Sequence, residues 1–145
     1  MSIDSLDASF QNECINDLYE GNFRVSRALI NLEKADKIND VAQIISFGSL
    51  CSYDYRNDHP IEAKKFDRAE SEIYHLESIC ERIREAIEVA ILSIKNGYST
   101  LKTLDNEIKE LKEDSFLALE SSRTWLELSE KYLEDANSKN RKIAY

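Results

Sequence analysis

The sequence has 145 residues, 42% of them apolar and 32% charged, with three Gly, one Pro and a net charge of −9. That is long enough to bury a core, too apolar for a disordered chain and too poor in turn formers for a many-stranded β fold, which leaves an all-α protein. Acids outnumber bases in both halves, and phosphate binding needs a basic face to displace counterions, so nucleic acid is not an expected partner.

The chain opens without a basic leader or a continuous apolar run, and no later segment approaches the length of a membrane span, so the expected setting is the cytoplasm of its own or a host cell. Residues 1–57 predict three short helices. Ile3, Leu6, Phe10, Cys14 and Leu18 mark the first, ended near Gly21; Val25, Ala28, Leu29, Leu32 and Ala35 mark the second. The third follows an Asn39-Asp40 cap, with Val41, Ile44, Ile45, Gly48, Cys51 and Tyr55 on one face.

Pro60 fits the first turn of the next helix, where its missing donor costs nothing and Asp58 and Glu62 complement the dipole. From there Phe66, Ala69, Ile73, Leu76, Cys80, Ile83, Ile87, Ala90 and Ile94 keep an alternation of three and four residues, a heptad seam. Asn96-Gly97 suits a C-cap, because glycine takes the left-handed conformation that closes a last turn. A second long helix, 98–138, repeats the spacing from Leu101 to Ala136, with Ser115, Ser122 and Ser129 at every seventh residue. Residues 139–145 form a short basic tail. The expected architecture is one domain, 1–145: three short helices on a long antiparallel hairpin, 60–96 and 98–138, turning at Gly97. That pairing sets Ala69 near Trp125 and Ile73 near Ser122, small residues against large.

Chemistry-bearing groups are sparse. Cys14, Cys51 and Cys80 are odd in number, far apart and flanked by apolar residues, so they read as small core side chains rather than disulfide or zinc partners. Glu72 and His75 have the E-x-x-H spacing of a di-iron half-site, but His59 has no matching glutamate to complete it, and no metal is expected. Isolated glycines and two histidines supply neither a phosphate-cradling loop nor a nucleophile with its base, so no cofactor and no enzymatic activity are expected.

The segment Ser52 to Pro60 is the densest in polar and aromatic groups. Within it Arg56, Asn57 and His59 resemble the R-N...H ribonuclease motif of HEPN domains, which implies RNA cleavage by a helical bundle; fewer residues separate Arg56 from His59 than in that motif. Tyr19, Ala28, Leu32 and Ala35, and again Trp125, Leu128, Ser129 and Tyr132, resemble parts of the tetratricopeptide signature, which implies helix pairs in a short adaptor array.

The sequence therefore favours a non-enzymatic binding protein: an inhibitor, immunity protein, anti-defence factor or chaperone of a basic protein partner. Its expected contact surface combines Tyr53, Tyr55, Arg56 and His59 with the acidic outer face at Glu70, Glu77, Glu81 and Glu88, since Tyr and Arg are common interface anchors. The alternative is an assembly subunit forming a homo-oligomer through a second apolar stripe at Leu119, Leu126 and Leu133.

Overall fold

The computed structural model describes residues 3–48, 57–97 and 101–143, with side chains described over 8–48, 57–97 and 104–139. The protein is all-helical: α1 is Ile3–Phe47, α2 Pro60–Asn96 and α3 Leu101–Ile143, with no strand among the described residues.

The N-terminal region departs from expectation. Instead of three short helices, α1 is a single helix of 45 residues that passes through Gly21 and through Asn39-Asp40 without a break. The reason lies in the spacing of its buried side. Cys14, Leu18, Gly21, Val25, Ala28, Leu32, Ala35, Asn39 and Ala42 are all buried and alternate by four and three residues, so both supposed punctuation marks occupy seam positions. A helix-interior glycine costs about 1 kcal/mol against alanine. Burying Leu18, Val25 and Leu32, each at most 1% exposed, returns about 1.5–3 kcal/mol apiece and outweighs that cost.

The helix ends follow local chemistry. Gly48 and Gly97 have φ of +82° and +69°, and their amides donate to the carbonyls of Ile44 and Ile94 at 2.7 and 3.2 Å, closing α1 and α2. Pro60 opens α2, with the Ala63 amide donating to the His59 carbonyl at 3.0 Å and Glu62 in the first turn.

The chain forms two compact units, neither of them a continuous stretch: Met1–Ala28 with Ser78–Glu120, and Leu29–Glu77 with Ser121–Tyr145. In the first, Cys14 and Leu18 of α1, Cys80, Ile83, Ile87 and Ile94 of α2, and Leu104, Ile108 and Ala118 of α3 are buried. Lys112 of α3 bridges to Asp17 at 3.2 Å, and Arg24 donates to Glu20 at 2.7 Å and lies 5.9 Å from the Phe116 ring centroid. Lys95 meets the Tyr19 hydroxyl at 3.4 Å, and Arg84 meets that of Ser26 at 3.4 Å.

Within this unit Gly21 lets α1 approach its neighbours closely. A Cβ there meets Ile87 Cδ1 at 3.3 Å and Ser115 Oγ at 3.4 Å. Both are side-chain atoms, and a shift of a few tenths of an ångström relieves the tighter contact. Gly21→Ala is therefore expected to raise unfolding free energy by about 0.5–1 kcal/mol through helix propensity. Gly21→Leu overfills the same space and lowers it by about 1–3 kcal/mol. Urea denaturation followed by circular dichroism reads both, and a lower midpoint for Gly21→Ala shows that the site cannot give.

In the second unit Ala42, Phe47, Ala63 and Phe66 form a buried cluster on which Tyr132 and Leu133 pack. The Phe66 ring sits edge-on to Phe47 at 5.5 Å and to Tyr132 at 5.9 Å between centroids. Buried polar groups share this core. Asn39 donates to the Phe66 carbonyl at 3.3 Å, Asn31 donates to the Ser122 hydroxyl at 3.2 Å, and Ser122 and Ser129 are both fully buried.

Candidate interaction grooves

Two grooves, one in each unit, are lined by residues of both α2 and α3. The groove of the first unit has a volume of about 590 Å³ and an apolar floor of Ala86, Val89 and Ala90 from α2 and Leu104 and Leu111 from α3. Its rim is acidic: Glu85 from α2 and Glu107, Glu110 and Asp114 from α3, against the single cation Arg82. The α2 seam creates this arrangement, because burying Ile83, Ile87 and Ala90 leaves Glu85, Ala86 and Val89 exposed beside it. Val89 is 63% exposed, an aliphatic surface left beside carboxylates.

The second unit carries the opposite chemistry. Lys64, Lys65 and Arg68 of α2 share a groove of about 410 Å³ with Trp125, Leu128 and Tyr132 of α3, and Ile61, 84% exposed, stands at its end. The Lys65 ammonium lies 4.6 Å from the Tyr132 ring centroid and 4.9 Å from that of Phe66, within cation–π range. Lys139 pairs with Glu62 in the same unit.

Of the expected contact residues, Tyr53, Tyr55 and Arg56 lie outside the described residues, as does Cys51. His59 is exposed and its carbonyl caps α2. Glu70, Glu81 and Glu88 are exposed and Glu77 is half-buried; Glu81 lies 3.7 Å from Arg84, and none of the four lines the acidic groove. The carboxylates gathered there come from both helices, so only the pairing of α2 with α3 unites them. Leu119 is buried, and Leu126 and Leu133 are half-buried, with Leu133 packed on the Phe47–Phe66 cluster.

Tyr19 to Ala35 lies on one uninterrupted helix and thus lacks the turn of a tetratricopeptide pair. Trp125 and Tyr132, read as the opening of such a repeat, instead line the basic groove. Glu72 and His75 are exposed, and among the described residues no group of three or more His, Cys, Asp or Glu could hold a metal ion. Nor is any helix among them long and apolar enough to cross a membrane. Cys14 and Cys80 are buried free thiols. Burial, and then the carboxylates of Asp105, Asp17 and Glu13, push the Cys14 thiol above its ordinary range, as suits a packing residue. Asp40 is likewise raised, by burial and then by Asp36 one turn away.

The chain matches no family model, no curated protein and no solved structure.

Proposed function

We propose that this chain is a non-enzymatic binding module that recognises a basic amphipathic helix of a partner protein in its acidic α2–α3 groove. The observation that carries the reading is the combination in one groove of an aliphatic floor, Ala86, Val89 and Leu111, with carboxylates from both walls. Apolar floor area supplies affinity, and a rim of one charge sets orientation and rejects acidic competitors. A partner helix laid there completes the coordination of α2 and α3 much as a further helix does in a bundle. The reading takes α2 and α3 as one antiparallel hairpin about Gly97, supported by the pairings of Glu62 with Lys139 and of Phe66 with Tyr132. Action as an inhibitor, immunity protein, anti-defence factor or chaperone in the cytoplasm fits such a module.

A labelled synthetic helix with lysines on one face and leucines on the other tests it by fluorescence anisotropy. Reversing Glu85, Glu107, Glu110 and Asp114 to lysine is expected to weaken binding on the order of a hundredfold. Reversing Glu70, Glu77, Glu81 and Glu88, an equal change in net charge, leaves binding within about threefold, the size of a screened long-range effect. Equal losses in the two sets reduce the attraction to net charge and sink the groove.

A further inference from the structure

The two grooves are related by the heptad repeat. Lys64 and Glu85 are three heptads apart on α2 and so occupy the same heptad position; the same interval separates Trp125 from Leu104 and Leu128 from Glu107 on α3. Every residue lining the basic groove has its counterpart in the acidic one at this spacing. The same lining positions thus recur along these two helices with opposite net charge in each groove: Lys64 stands where the acidic groove has Glu85, and Leu128 where it has Glu107. Its relief changes as well: where the acidic groove has Ala86, the basic one has Lys65, and Leu104 gives way to Trp125.

We propose that the occupant of the acidic groove is a second copy of this chain, which presents its Lys64, Arg68 and Trp125 face to the Glu85, Glu107 and Glu110 rim. This rests on the acidic groove being a docking site and names the chemistry that fills it. Two arguments select a second copy. On a chain whose net charge is −9, the groove of Lys64, Lys65 and Arg68 supplies cations and an aromatic ring of the kind that the Glu85, Glu107, Glu110 and Asp114 rim attracts, so each groove complements the other in charge. An aromatic ring flanked by cations, with Ile61 84% exposed, has the composition of an interface anchor, and a floor containing Ala86 and Ala90 has room to receive one.

Sedimentation velocity across a concentration series tests this with two variants. In one, Glu85, Glu107 and Glu110 become lysine; in the other, Lys64 and Arg68 become glutamate, leaving Lys65 on its rings. The native chain is expected to associate reversibly, and each variant alone to associate at least about tenfold more weakly. An equimolar mixture of the two is expected to recover the association, because one variant then has two basic grooves and the other two acidic ones. Recovery in the mixture also shows that both variants are folded, and their helical circular dichroism checks this separately. A native chain that sediments as a monomer, or a mixture that stays monomeric, overturns the second copy as occupant. The lysine–leucine helix separates the two readings: its capture by a monomeric native chain leaves the acidic groove standing and removes only the self-association. Failure of that helix to bind a monomeric native chain removes both.

Discussion

Replacing Phe66 by alanine is expected to remove about 3–5 kcal/mol of unfolding free energy, the range for deleting a large buried aromatic side chain. Phe66 is 1% exposed and links the three helices of its unit: its ring makes T-shaped contacts with Phe47 of α1 and Tyr132 of α3, at 5.5 and 5.9 Å between centroids. Truncation therefore loses the transfer energy of the ring and two edge-to-face contacts. It also leaves a void, because the ring's α1 and α2 neighbours in the cluster include the small residues Ala42 and Ala63, which cannot reach across it. Phe66→Leu keeps most of the volume and is expected to cost roughly half as much or less. Guanidinium denaturation measures both. A loss under 1 kcal/mol for the alanine variant shows that the cluster around Phe47 and Tyr132 is not what stabilises this unit.

The residues that were legible in the sequence are those whose local and tertiary roles coincide. Pro60 and Gly97 bound α2 in the structure because a missing amide and a left-handed φ are local facts that no packing has to supply. The seam from Phe66 to Ile94 is buried as its spacing requires, apart from Leu76, which is half-buried. Gly21 and Asn39 were misleading because their local preference opposes their position. Glycine reads as a stop and asparagine as a cap, yet the three-four spacing runs through both, and periodicity is the stronger signal when burial is at stake. The grooves were hidden for a different reason. Lys64, Lys65 and Arg68 are interleaved with Glu62, Asp67 and Glu70, and Glu107 and Asp114 with Lys109 and Lys112, so along the chain each stretch averages to mixed charge. Comparing residues three heptads apart on α2 sets Lys64 against Glu85, opposite signs at one heptad position, a contrast that the sequence alone contains.

Asn39 offers the sharper experiment, because one position can be made apolar or charged with almost no change in size. Its side chain is fully buried; its amide nitrogen donates to the Phe66 carbonyl at 3.3 Å, and its Oδ1 has no hydrogen-bond partner among the described residues. Asn39→Leu removes that unsatisfied acceptor. The Phe66 carbonyl keeps its place in the α2 backbone ladder, so stability is expected to hold or to rise by up to about 2 kcal/mol. Asn39→Asp does the reverse, burying a carboxyl in place of the amide, and at neutral pH it is expected to cost up to about 4 kcal/mol. Burial raises the folded-state pKa of the new carboxyl above its unfolded value near 4, so the folded chain holds its proton longer than the unfolded chain does. The penalty is therefore absent below about pH 4. It grows by roughly 1.4 kcal/mol per pH unit as pH rises toward the folded pKa, and is constant above it. Urea titrations of the native and Asn39→Asp chains at a series of pH values isolate this term as their difference, since the other carboxylates are common to both. A difference that does not vary with pH means that the carboxyl reaches solvent, and that α1 can turn residue 39 out of the seam. A difference that climbs with pH while Asn39→Leu stays at least as stable as native identifies the amide as a polar group kept in the core at some cost in stability, the kind of residue that fixes which heptads of neighbouring helices meet.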